Sequence, residues 1–365
     1  MDYILSDKIR SGDNAIFGIT GSGATIGTAL YTFDDLPDRL RQAARGSGPE
    51  KIKGESEQRK AALWLSRTPN IQRVRIESVG TPPEGTPVKS LELVQAAARN
   101  CLEQSSYNKS DIDLLIFAGV YRDDFISEPA IASIVAGELR INDTIASQQD
   151  KKTFAFDVFN GALGFLNACH AAAGMIAAKK VNRAMVVASE IENNKETFPI
   201  ELRGLKESGS AVILDASSDG KTGFGNFVFK YSTEHIEAYS AYTAIRSGKA
   251  GMHFEQAPEL ETYYLQCIRD SVDELLRVEQ LDMAQVKVIL PPQISAVFIT
   301  ALSDIMNINR DKFVDVSHKD GDLFTSSLAY TLQDVRKQRL VEPGDIGLII
   351  SVGAGVQVGC ATYYF

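Results

Sequence analysis

Apolar residues follow two spacings along the chain, one typical of buried strands and one typical of helices. Phe154–Val158 is a short apolar, β-prone run that predicts a buried strand. Leu163–Ala178 is rich in alanine with apolar residues on every face, which predicts a buried helix. Phe159–Ala162 lies between them and predicts a tight turn, where backbone N–H groups at the helix start converge. That point suits an oxyanion or a carbonyl oxygen, and the residue at its apex is Ala162.

A helix followed by a buried strand occurs twice, once in each half of the chain. Ser90–Ser105 has apolar residues at helical spacing and precedes the apolar run 114–120. Tyr263–Gln280 has the same spacing and precedes the run 286–292. Two more runs are echoed, FAFDV (154–158) by KFVDV (312–316) and AMVVAS (184–189) by GLIISVG (347–353). The repeat predicts a duplicated α/β fold with buried, mostly parallel strands.

Other segments predict turns and surface loops. Residues 15–31 predict a strand followed by a Gly-rich turn, and the turn lacks the GxGxxG spacing that dinucleotide binding requires. Residues 43–60 are polar, charged and contain glycine, which predicts an exposed loop. Residues 143–152 are also polar and predict a surface loop.

Composition and charge exclude several classes of function. The chain is 44% hydrophobic and 23% charged, as in ordinary globular proteins. Its net charge of −9 argues against nucleic acid or an anionic membrane as a partner. No apolar run reaches about 18 residues, and the N-terminus lacks a secretory pattern. The four cysteines lack CxxC spacing, which favours reduced core thiols in a cytoplasmic protein over a disulfide framework or a metal site.

The segment Asp157–Phe165 resembles the nucleophile elbow of β-ketoacyl-ACP synthase III and its relatives in the thiolase superfamily. That elbow reads Asp-Val-x-x-x-Cys-x-Gly-Phe, and this chain has Ala162 at the cysteine position. The resemblance implies the duplicated, five-layered αβαβα thiolase-like fold, in agreement with the repeat. It also implies an N-terminal half at 1–215, with insertions near 43–60 and 143–152, and a C-terminal half at 216–365.

The resemblance implies that the other two catalytic positions are changed as well. The family's histidine, in Pro-His-Gln-Ala-Asn, is replaced by Pro292, and its asparagine, in a Gly-Asn turn, by Asp322. Both family residues donate hydrogen bonds that stabilise an enolate. Proline offers no donor, and an aspartate is anionic. The glycine turn that ends at Gly355 is intact, and its backbone is expected to frame an oxyanion site with that of Ala162. The fold is kept, and the ketosynthase chemistry is lost.

Three residues resemble the family's binding site for coenzyme A. Trp64 matches the tryptophan that packs on the adenine, with a plain packing role as the alternative. Arg67 lies one position short of the family's arginine, and Arg203 resembles the arginine that holds a phosphate. The implied substrate carrier is coenzyme A or the phosphopantetheine of an acyl carrier protein, with no covalently bound cofactor.

Four further residues lie near the changed positions in sequence or match catalytic residues of relatives. Glu128 matches a glutamate that acts as base across the dimer in head-to-head hydrocarbon-forming relatives, and complementing a helix dipole is its alternative role. His318 is a candidate to face the site, with a solvent-exposed loop position as the alternative. Cys169 lies roughly 10 Å along the helix from Ala162, too deep to replace the nucleophile. Its neighbour His170 is expected to be a core histidine.

The resemblance leaves two functions open. The first is a non-condensing partner subunit, in a homodimer or a heterodimer with an active synthase of a fatty-acid- or polyketide-type pathway. The second is an enzyme that acts non-covalently on an acyl-CoA or acyl-ACP thioester as a hydrolase, decarboxylase or cyclase. Its acid and base groups are then Glu128 and Asp322. A third hypothesis is a protein that only binds or senses an acyl group.

Overall fold

The computed structural model describes Ile4 and residues 8–21, 25–44, 73–142, 152–317 and 321–365. Trp64, Arg67 and His318 lie outside the described residues, as do 45–60 and 143–151 of the two polar segments. The chain separates into two compact units, Met1–Asn70 and Ile71–Phe365.

The first unit contains an antiparallel hairpin and a helix. Strand β1 (Asn14–Gly21) pairs with β2 (Thr25–Thr32), and helix α1 (Leu36–Ala44) follows. The segment expected to hold one strand and a turn therefore holds two paired strands, because its apolar run continues on both sides of the glycines.

The second unit begins with a five-stranded sheet. Its strands are β3 (Val74–Gly80), β4 (Leu114–Phe117), β5 (Phe154–Asp157), β6 (Arg183–Glu190) and β7 (Ser208–Ala216). They lie in the order β3-β7-β6-β4-β5. Strand β4 is parallel to β5 and β6, whereas β7 is antiparallel to β3 and β6.

A second sheet follows β7 in sequence, and the boundary between halves at 215/216 stays a prediction. Its strands are β8 (Gly223–Tyr231), β11 (Val286–Leu290), β12 (Ile346–Gly353) and β13 (Gln357–Tyr364), in the order β11-β12-β13-β8. Strands β9 (Tyr239–Arg246) and β10 (Lys249–Gln256) form a separate hairpin. The expectation of mostly parallel strands is wrong, since only β4–β5, β4–β6 and β11–β12 are parallel neighbours in the two described sheets. A short turn, such as the one between β12 and β13, forces an antiparallel pair.

Six α-helices among the described residues of this unit complete the layers. They are α2 (Ser90–Gln104), α3 (Ile131–Glu138), α4 (Gly164–Ala177), α5 (Leu260–Glu279), α6 (Ala296–Met306) and α7 (Ser327–Gln338). One apolar cluster joins α4 and α7 to both sheets. A second joins α5 and α6 to the second sheet, and a third joins α2 and α3 to the first. The result is the five-layered αβαβα arrangement that the resemblance implies.

Two strand predictions need correction. Phe154–Val158 was expected to be buried, but β5 is an edge strand that pairs only with β4 among the described strands, and Phe154 is 56% exposed. The run 312–316 is not a strand: Phe313 makes a single bridge to Ile289 of β11. Each segment lies at the edge of its sheet beside one parallel strand, β4 or β11, so one described neighbour alone supports it.

Candidate active site

The predicted turn between strand and helix connects β5 to α4. Helix α4 begins at Gly164, within one residue of the prediction, and Ala162 is 8% exposed. Gly161 has φ +53, and a Cβ built on it would lie 3.3 Å from the backbone nitrogen of Ala354. The left-handed backbone and the close approach both favour glycine at this position. The turn thus rests against the backbone that joins β12 to β13.

A cavity of about 240 Å³ opens at this turn. Its wall includes Ala162, Pro292 and Asp322, together with Arg203, Tyr239 and Gly353. Three positions that are 130 and 30 residues apart in sequence therefore meet at one void. Gly355 does not line the void, although Gly353 and Ala354 of the same turn do.

Asp322 is held by the loop that precedes α7. Its Oδ1 accepts a hydrogen bond of 2.8 Å from the backbone N–H of Phe324, and its own N–H donates to the carbonyl of Gly204 at 2.9 Å. The residue is 7% exposed, and burial raises the pKa of its carboxyl, against the opposing charge of Arg203. Asp322 is thus a carboxyl group at the cavity wall whose protonated form burial favours.

Arg203 lies inside the cavity wall, in contact with Asp322. Its Nη2 is 3.7 Å from Oδ2 of Asp322, and its guanidinium carbon lies 5.1 Å from the centre of the Tyr239 ring. No described residue accepts a hydrogen bond from its buried Nε. Arg203 therefore already faces a carboxylate. Its expected contact with a coenzyme A phosphate stays a prediction.

Two tyrosines and a buried glutamate complete the site, and the sequence prediction missed all three. The hydroxyl groups of Tyr121 and Tyr239 are 2.9 Å apart and hydrogen-bonded. Behind Tyr121, Glu190 accepts hydrogen bonds from the Tyr121 N–H at 2.8 Å and the Thr325 hydroxyl at 2.6 Å. Burial raises the pKa of Glu190 to about 7. For Glu190, the sequence did carry a signal, since a charged residue directly follows the apolar run 184–189.

Glu128 is exposed and does not line the cavity of its own chain. The N-terminus of α3 is instead bound by Asp157, whose two oxygens accept hydrogen bonds from the N–H groups of Ile131 at 3.0 Å and Ala132 at 2.9 Å. Asp157 also pairs with Arg122 at 3.2 Å. The helix-dipole role considered for Glu128 therefore belongs to Asp157, because β5 ends directly beneath the helix start.

Cys169 and His170, which lie further along α4, are not part of the cavity wall. Cys169 is fully buried, and burial raises the pKa of its thiol. The expectation that His170 is a core histidine is wrong. The residue is exposed, and the centre of its ring lies 4.5 Å from that of Phe227. Successive residues on a helix point about 100° apart, so a buried position can precede an exposed one.

The wall offers polar side chains of Arg, Asp and Tyr, and neither Cys nor His lines it among the described residues. Within the same residues, no group of three His, Cys, Asp or Glu side chains is placed to hold a metal ion. Those residues also contain no helix long and apolar enough to cross a membrane. The arrangement can bind and protonate or deprotonate a ligand, and it offers no thiol for covalent capture.

The chain is similar in sequence to known proteins. The family model described as 3-oxoacyl-[acyl-carrier-protein (ACP)] synthase III C terminal matches residues 276–365. Similar proteins include the β-ketoacyl-[acyl-carrier-protein] synthases III of Rickettsia canadensis and Histophilus somni. The first is 22% identical over 275 residues and the second 25% over 280, each match covering 74% of this chain and 82% of the relative.

Solved structures show the same fold. One, of OleA from Xanthomonas campestris with bound lauric acid and lauroyl-CoA, is 18% identical with a TM-score of 0.68, over 81% of this chain and 100% of that chain. A 3-oxoacyl-(acyl-carrier-protein) synthase III is 16% identical with a TM-score of 0.66, over 80% and 100%. In sequence this chain is thus similar to the β-ketoacyl-[acyl-carrier-protein] synthases III, and it has the fold of these solved structures.

Proposed function

We propose that this protein is a non-condensing subunit that binds an acyl thioester and works with an active synthase III-like partner. The pathway is of the fatty-acid or polyketide type, in the cytoplasm. The observation that supports this best is the meeting of Ala162, Pro292 and Asp322 at one cavity. If these are the three catalytic positions of the family, the nucleophile and both enolate donors are lost together.

The cavity suits a short acyl group on a pantetheine arm. Its volume of about 240 Å³ is several times the share of one water in the liquid, which is about 30 Å³. Coenzyme A and an acyl carrier protein present the same arm, so we propose one of them as the carrier. A carboxylate, an arginine and two phenols at the wall give such a ligand polar partners.

A second candidate is a hydrolase, decarboxylase or cyclase that acts without a covalent intermediate. It is favoured by the burial that raises the pKa of Asp322, because burial stabilises the protonated carboxyl and so helps it to hold or take a proton. Glu128 would be the second acid–base group, supplied by the partner subunit, since it does not reach the cavity of its own chain.

Both candidates are proposed to act as a dimer that buries more than about 2,000 Å². Strand β5 offers a free edge among the described strands, flanked by Phe154 and by Phe159, which is 67% exposed. An unpaired strand with exposed aromatic residues favours pairing with another chain.

Copurification and turnover distinguish the two candidates. The tagged protein is isolated from its native cells, its mass is measured by light scattering, and bound proteins are identified by mass spectrometry. The subunit proposal expects a Cys-containing synthase III-like protein in the complex and no release of free CoA from acyl-CoA by the isolated protein. Release of CoA that is lost in Asp322→Asn supports the enzyme instead. A monomer at micromolar concentration with no bound protein contradicts both.

A further inference from the structure

The spacing between Arg203 and Asp322 is too long for a hydrogen bond and short enough for one atom to bridge. Charge-assisted N–H···O bonds measure about 2.7–2.9 Å, whereas Nη2 and Oδ2 are 3.7 Å apart. Oδ1 of Asp322 takes the N–H of Phe324, and no hydrogen bond from a described residue reaches its Oδ2. An oxygen about 2.8 Å from both atoms fits this gap without moving either side chain.

The charges of the pair restrict what can bridge it. The charge of Arg203 favours the ionised form of Asp322, and against that form a ligand atom must donate to the carboxylate and accept from the guanidinium at once. A hydroxyl group does both, since it has one O–H donor and two lone pairs. A ketone accepts only and would face the carboxylate oxygen, an ammonium donates only and would face the guanidinium, and a methylene does neither.

The rest of the wall supports a polar group at this place. The buried Nε of Arg203 lacks an acceptor among the described residues, so the guanidinium has unused capacity. Tyr121 and Tyr239 use one phenolic hydrogen in their mutual bond, which leaves the other for a ligand carbonyl. The neighbouring wall at Ile294 and Val352 is apolar and suits a short carbon chain.

We propose that the acyl group bound here carries a hydroxyl close to its thioester, and that this hydroxyl bridges Arg203 and Asp322. The two residues thereby select hydroxyacyl thioesters over unsubstituted and oxo forms. This inference rests on the proposed binding of acyl thioesters.

Isothermal titration calorimetry with three C4 thioesters tests it. The probes are 3-hydroxybutyryl-CoA, as each enantiomer, acetoacetyl-CoA and butyryl-CoA. We expect one enantiomer of the hydroxy compound to bind about 10- to 100-fold more tightly than butyryl-CoA, the range of a hydrogen bond to charged groups. Acetoacetyl-CoA should bind no better than butyryl-CoA.

The variant Asp322→Asn gives a result that a purely structural role would not. Asparagine keeps the acceptor for the Phe324 N–H and removes the negative charge beside Arg203. Its affinity for acetoacetyl-CoA should therefore rise relative to 3-hydroxybutyryl-CoA, by about 10-fold or more. The matched control is Asp334→Asn, at a half-buried aspartate outside the cavity wall whose oxygens accept hydrogen bonds from Gln338. This control should bind the thioesters in the same order of affinity as the wild type.

The outcomes separate this inference from the function on which it rests. Equal dissociation constants for all the thioesters overturn the hydroxyl assignment and leave acyl-thioester binding intact. An unchanged order in Asp322→Asn, with circular dichroism like that of the wild type, overturns it as well. Binding of none of the compounds contradicts the proposed function and this inference with it.

Discussion

The Ser351 hydroxyl donates a hydrogen bond of 3.2 Å to the carbonyl oxygen of Ala162, across 189 residues of sequence. Ser351 belongs to β12 of the second sheet, and Ala162 to the turn after β5 of the first. The bond fixes the turn from the opposite half of the unit. A side chain introduced at position 162 will therefore have a defined direction at the start of α4.

Replacing Ala162 with Cys should restore acyl capture without restoring condensation. A thiol at this position lies at the N-terminus of α4, where the helix dipole lowers its pKa and activates it. Intact-protein mass spectrometry after incubation with acyl-CoA should show one added acyl group. The wild type should show none, because its Cys169 is buried and burial raises the pKa of that thiol.

Carbon–carbon bond formation by the same variant should stay at least about 10⁴-fold below that of working synthases. Loss of one transition-state donor costs roughly 100- to 1,000-fold in rate, and Pro292 and Asp322 stand where two are expected. Product formation from acyl-CoA and malonyl-CoA is the measurement. Efficient condensation by Ala162→Cys alone would mean that the other two positions are misassigned.

Glu190 should make the protein less stable as the pH rises from about 4.5 to 7. Its pKa is raised from 4.5 to about 7, so the folded state binds a proton in this range that the unfolded state releases. The contribution of Glu190 to the free energy of unfolding is fully present below pH 4.5. It falls by up to about 3 kcal/mol above pH 7. Urea unfolding of Glu190→Gln at several pH values should show less of this loss than the wild type. Parallel curves for the two proteins would contradict the assignment.

Asp157→Ala should destabilise the protein by about 3 kcal/mol. The change removes the acceptor for two N–H groups of α3 and leaves Arg122 buried without its carboxylate partner. Glu128→Gln is the control, since Glu128 is exposed and should change stability by no more than about 0.5 kcal/mol. Denaturant midpoints measure both, and a larger loss in the control would return the helix-dipole role to Glu128.

The hydroxyl bond between Tyr121 and Tyr239 should appear as a coupling between two Tyr→Phe variants. Each single change leaves the other buried hydroxyl without its partner and should cost about 1–2 kcal/mol. The double variant should cost less than the sum by about 1 kcal/mol. Tyr231→Phe, at a tyrosine that is 72% exposed, should change little. Strict additivity would mean that the two hydroxyls do not interact.

Local patterns in the sequence were sufficient for the main elements around the site. The apolar spacing of Leu163–Ala178 predicted α4 to within one residue at each end, because helix periodicity depends on near neighbours alone. The duplicated helix-and-strand pattern and the resemblance at Asp157–Phe165 predicted the αβαβα layers. The prediction that Phe154–Val158 is buried was wrong, because a strand's own sequence does not show whether it has one neighbouring strand or two.

Sequence by itself thus determined the class of fold and the identities at three positions of interest, Ala162, Pro292 and Asp322. Only the tertiary structure brought those three to one cavity, set Arg203 against Asp322, and placed Tyr121 beside Tyr239. The physical reason is that side-chain hydrogen bonds and ion pairs act over a few ångströms, whereas Arg203 and Asp322, like Tyr121 and Tyr239, are more than 100 residues apart along the chain. Their meeting depends on how two sheets and the helices between them pack, which no local pattern records.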